Sequence, residues 1–172
     1  MMGRALLIVG AMATLGLVAS AVLGYRLSAP TDLHSHFMTR HILIALASSM
    51  LLLFSHCWIM FYLIGTGKAI KDAAREHGLD PAFAEETRRF KNASYPWLML
   101  AMGLVMATFI LGGGVATGSV PSWVHHVLFY IAVLTQGYAL WIEQRVLGDN
   151  ERLMEKVDRL LAAGASPARA GV

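Results

Sequence analysis

Four stretches of about 20 consecutive apolar residues, separated by segments rich in charge, set the plan of this 172-residue chain. They cover about 5–24, 41–64, 97–115 and 123–142. At ~1.5 Å of rise per residue, each is long enough as a helix to cross ~30 Å of hydrocarbon. The fold this predicts is all-α and integral to a membrane: a four-transmembrane-helix bundle. The first stretch has a signal-like Ala19-Ser20-Ala21 near its end, but its apolar run is longer than a signal core and reads as a retained helix. Within it Gly16, Ser20 and Gly24 recur every four residues, a small-residue ridge that lets a neighbour approach closely.

The segments between the spans carry their own signals. The second span is expected to end at Gly65-Thr66-Gly67-Lys68, which lacks the spacing of a phosphate loop. In the 65–95 loop, 68–77 reads as a short amphipathic helix ended by Gly78. Asp80-Pro81 then supplies a cap and first-turn proline for another helix to about Lys91. Pro96 falls where the first turn of the third span would tolerate it, and that span loosens at Gly112-Gly113-Gly114. After the bundle, taken as residues 1–149, the segment 150–172 is expected to hold an amphipathic helix built on Leu153, Met154, Val157, Leu160 and Leu161. A disordered tail follows from 162.

Charge then orients the chain. Placing the N-terminus inside puts twelve of the fourteen Lys and Arg residues on the inner side, leaving only Arg26 and Arg40 outside. Under the positive-inside rule both termini are cytoplasmic, in a bacterial-type inner membrane. Apolar residues make up 56% of the chain and charged ones 15%, with a mean hydropathy of +0.56, which excludes a water-soluble fold. A net charge of +3 would suit nucleic acid, but the basic residues flank apolar runs instead and serve orientation. Cys57 is the only cysteine, so no internal disulfide or thiolate cluster is available.

Candidate chemistry rests on the seven histidines. His34, His36 and His41 lie at the outer mouth of the second span, and His125 and His126 lie in the first turn of the fourth. Opposite chain directions bring these five to one level. Helical phase places His41 on a stripe with Ala45, Ser48, Leu52 and Ser55, and His125 on one with Ala132, Gln136, Ala139 and Glu143. His126 belongs to a competing stripe with Tyr130, Gly137 and Gln144. Polar side chains in hydrocarbon turn toward the bundle interior. His41 with His125 or His126 is therefore the expected ligand pair for one b-type haem, since bis-imidazole ligation needs neutral imidazoles on facing helices.

Other readings stand beside it. In one, the histidines are interfacial groups in a cofactor-free accessory or assembly subunit. His34 and His36, with His41 and Asp32 near, could take copper or zinc. Arg40, His36, His41, Tyr25, Trp123 and Tyr130 could border a quinone headgroup. His56 lies about 22 Å deeper than His41 by helical rise. It is either a weak second haem candidate facing Met99, Met102 and Met106, or a hydrogen-bond partner of Gln136 or of groups near Ser48 and Ser49. Glu143 is expected at the inner edge, paired with Arg145 or Lys68, or relaying protons with Gln136. No catalytic constellation stands out, and four spans in 172 residues is similar in size to small di-haem b cytochromes and to the membrane anchors of respiratory complexes. The functional expectation is a subunit of a larger respiratory-type assembly more than a stand-alone enzyme, with other membrane proteins and lipid as its surroundings and quinone as a further candidate partner.

Overall fold

The computed structural model describes residues 2–26 and 36–164. All regular structure among them is helical: α1 (Met2–Gly24), α2 (His36–Glu76), α3 (Ala82–Ala116) and α4 (Ser122–Gly164). Neighbouring contacts run α1 to α2, α2 to α3, α3 to α4 and α4 back to α1, with a thinner diagonal from α2 to α4. The α1 and α3 backbones do not approach each other.

Helices α1, α2 and α3 are each long and apolar enough to cross a membrane. Helix α4 falls short of them in apolar content because His125, His126 and Gln136 interrupt its apolar half. Large apolar side chains point outward from the bundle, as lipid-facing groups do: Leu134 is 76% exposed and Phe61 69%.

Three helices outrun the spans read from sequence. Helix α2 has 41 residues, ~61 Å by helical rise, about twice the hydrocarbon thickness. The separate helices expected for 68–77 and 82–91 are continuations of α2 and α3. Gly65-Thr66-Gly67 does not end α2, which runs on to Glu76 with Thr66 Oγ1 donating to the Tyr62 carbonyl 2.9 Å away. Gly67 also lets Thr87 of α3 pack 3.4 Å from where a Cβ would stand. Pro96 lies inside α3, not in a first turn. A proline removes one ladder bond, and neighbouring contacts hold the helix through it: Ser94 Oγ donates to Phe90 O at 2.8 Å, and Tyr95 Oη donates to Met60 O of α2 at 2.8 Å.

The true punctuation is glycine in the left-handed region. Gly78 (φ 64°) ends α2, with Leu79 N–H returning to Ala74 O at 2.9 Å. Gly118 (φ 73°) ends α3, with Ser119 N–H returning to Gly114 O at 2.8 Å. Asp80 Oδ1 accepts from Ala82 N–H at 2.8 Å just ahead of α3, but the capping position is Pro81, not Asp80 as the sequence suggested.

Three apolar clusters stack along the axis. Ala13, Leu17, Leu52, Val105 and Ala132 lie toward the histidine end. Leu6, Ile59, Leu63, Leu98, Ile142, Val146 and Leu147 follow. Ile70, Phe83, Leu153 and Val157 form the last, from α2, α3 and α4 alone. The amphipathic segment expected from 150 onward is thus the unbroken end of α4, with Leu153 and Val157 turned into this third cluster. Residues 162–164, expected to open the disordered tail, still belong to α4, and the rest of that tail lies outside the described residues. The surface here is solvated, with exposed pairs such as Arg88–Glu85 at 2.8 Å. Arg88 beside Glu85 holds that carboxyl below its usual range.

Candidate functional site

The small-residue ridge of α1 does pack on α2. A Cβ at Gly16 would overlap the Ser48 hydroxyl, and one at Gly24 would stand 3.1 Å from His41 Cε1. Close approach brings Ser20 to His41. His41 Nδ1 lies 2.7 Å from Ser20 O, and Ser20 Oγ donates to His41 O at 3.0 Å. Across the bundle, His125 Nδ1 lies 3.0 Å from Thr108 O of α3. A carbonyl can only accept, so each Nδ1 carries a proton. In a neutral imidazole that leaves the Nε2 lone pair free. Neither Nε2 has a hydrogen-bond partner among the described residues.

The two rings sit with centroids 6.4 Å apart and planes at 85°. They border a cavity of about 320 Å³ that all four helices line. Its walls are small where a flat group would need room: Ala21 and Gly24 on α1, Ala45 on α2, Gly112, Gly113 and Ala116 on α3, Ala132 on α4. The triple glycine keeps its helical form, and its function is spatial. His125 Cε1 stands 3.1 Å from a Cβ position at Gly112, and Val120 Cγ2 2.7 Å from one at Gly114.

His126 also lines the cavity, its ring centroid 6.0 Å from that of His125 and 5.1 Å from that of Tyr25, whose hydroxyl is hydrogen-bonded to that of Tyr130. His36 is exposed at the first residue of α2. His34 and Asp32 lie outside the described residues. No group of three or more His, Cys, Asp or Glu side chains is placed to hold a metal ion among the described residues. Of the residues considered for a quinone, Tyr25 and His41 line the cavity, while Arg40 and Trp123 are exposed.

His56 is fully buried with both ring nitrogens engaged, Nδ1 with Glu143 Oε1 at 2.6 Å and Nε2 with Gln136 Oε1 at 2.9 Å. Neither nitrogen is left for iron, and Met99 and Met106 point outward, 60% and 44% exposed. Glu143 is fully buried and is not paired with Arg145, whose guanidinium lies 4.5 Å over the Trp141 ring. The His56–Glu143 pairing was readable from depth. Glu143 lies ~27 Å below His125 along α4, and His56 ~22 Å below His41 along α2, a difference one side chain can span.

No protein-family model, curated protein or solved structure matches the chain.

Proposed function

We propose that this chain is a four-span subunit of a bacterial-type inner membrane complex, both termini inside, holding one b-type haem between His41 and His125 near the periplasmic side. Its task is electron transfer between quinol or another donor and a partner subunit. The observation that carries this reading is the pair of imidazoles, each fixed through Nδ1 to a backbone carbonyl, with centroids 6.4 Å apart. The Nε2 atoms of His41 and His125, left without a hydrogen-bond partner among the described residues, would hold the haem iron.

The ligating residues sit on α2 and α4, the diagonal pair, while α1 and α3 stand apart. Gly24 of α1 makes room for the His41 ring and Gly112 of α3 for the His125 ring, so both imidazoles seat at the cavity edge. Bound there, haem supplies reversible one-electron chemistry. The protein's own residues do the rest. Ser20 and Thr108 set the tautomer and ring orientation, as outer-shell partners of ligating histidines do. Leu17, Leu52, Val105 and Ala132 close the cavity floor and keep water from below.

Orientation follows the Lys and Arg bias, twelve of fourteen toward the charged end. The antiparallel run of α4 beside α3, with its polar residues turned inward, supports a fourth span. The edge-on packing of the His41 and His125 rings favours one second reading, a cofactor-free accessory subunit in which the pair clasps two helices.

Reduced-minus-oxidised absorption of the purified protein tests the proposal. A Soret band that shifts on reduction is expected, and a protein without one leaves the clasp.

A further inference from the structure

A second polar site lies deeper and takes no part in the electron-transfer reading. His56, Gln136 and Glu143 are each fully buried between two apolar clusters, with Leu52 and Ala132 toward the histidine end and Ile59 and Ile142 toward the charged end. Ionisable groups at membrane depth are costly, and they mark functional positions by default.

Charge balance fixes what the pair must hold. No Asp, Glu, Lys or Arg occurs in 5–24, 42–67, 92–116 or 123–142. The titratable groups of the elements packed around the pair are Cys57 and Tyr62 on α2, Tyr95 on α3 and Tyr138 on α4. Tyr95 Oη is bonded to Met60 O, Tyr62 Oη to Met154 Sδ and Cys57 Sγ to Met102 Sδ, while Tyr138 stacks on Trp141. The described side chains of α1 include no titratable group. A neutral imidazole beside an ionised Glu143 would leave one uncompensated negative charge in the low-dielectric interior. Neutrality requires one more proton, either on His56 beside a carboxylate or on Glu143 beside a neutral imidazole.

Among the described residues two buried side-chain atoms lack a partner: Gln136 Nε2, a donor, and Glu143 Oε2, an acceptor of the ionised carboxylate. Both belong to one face of α4, seven residues apart. Leu140 and Leu147 flank Glu143 on that face. They also line a groove of about 830 Å³ between α1 and α4, shared with Gly148, Gln144 and Glu151 toward the charged end.

We propose that His56, Glu143 and Gln136 form a proton-binding site inside the bundle, loaded from the charged end along the α1–α4 groove. One proton binds and leaves, between a neutral imidazole beside a carboxylate and the same pair carrying one proton more. No bond other than to that proton changes, and no cofactor is needed.

The test uses the full-length protein in lipid vesicles, with ¹⁵N-labelled histidine and ¹³C-labelled glutamate read by NMR. The expected result at neutral pH is either a doubly protonated His56 ring beside an ionised Glu143, or a neutral ring beside a protonated carboxyl. The proton should exchange with D₂O. A Cβ at Gly148 meets open space, so Gly148→Leu fills the groove without touching the pair and should slow that exchange at least tenfold. Glu143→Gln should remove the signature from the His56 ring. A neutral ring beside an ionised carboxylate in the wild type would overturn the proposal. So would a Gly148→Leu protein exchanging at the wild-type rate.

Discussion

His41 and His125 face each other across the diagonal of the bundle, ring planes at 85°, each imidazole tied through Nδ1 to the backbone of a different neighbour. Ser20 of α1 anchors the first and Thr108 of α3 the second. All four helices thus fix a single pair of lone pairs. Orientation of this kind needs the close α1–α2 and α3–α4 contacts that Gly24 and Gly112 permit, so the glycines and the histidines are one device.

Filling that space should separate the glycines by position. Gly112→Leu places side-chain atoms where His125 Cε1 now stands and should abolish cofactor binding. Gly113→Ala meets nothing within 4 Å and should leave it unchanged. Cofactor content per chain after identical purification checks both.

Breaking the buried pair should cost more than replacing it. Removing one partner of a buried, hydrogen-bonded charge pair typically costs about 3–5 kcal/mol, while exchanging both for apolar groups of similar size is often near neutral. His56→Leu alone and Glu143→Leu alone should therefore each destabilise more than His56→Leu with Glu143→Leu together. Unfolding titrations in mixed micelles measure all three. Equal or additive losses would mean that the two side chains act independently.

Orientation can be read with two surface cysteines in a Cys57→Ser background. Ser119 lies in the turn after α3 and Glu155 on the exposed face of α4. With the termini inside, a membrane-impermeant maleimide added to right-side-out vesicles should label Ser119→Cys and spare Glu155→Cys. The reverse pattern would invert the topology.

Most of the helical plan was legible because apolar runs of ~20 residues have few readings. The interior stripes were legible too: Ala132, Gln136, Ala139 and Glu143 are all buried, whereas Tyr130, Gly137 and Gln144 of the competing stripe are exposed. Helix ends were less so. Pro96 and Gly65-Thr66-Gly67 resemble boundaries locally, but tertiary contacts from Tyr95 to Met60 and from Gly67 to Thr87 carry both helices through them. The partners Ser20 and Thr108 left no signal of their own in the sequence. A serine in a small-residue ridge and a threonine in an apolar helix become histidine anchors only once the register between helices is known.

The central claim is tested most directly by haem content per chain in the wild type, His126→Ala, His41→Ala and His125→Ala, measured on protein purified identically. The account predicts one haem per chain in the wild type and in His126→Ala, and none in His41→Ala or His125→Ala. A wild type without haem, or haem retained when both His41 and His125 are replaced, would contradict it.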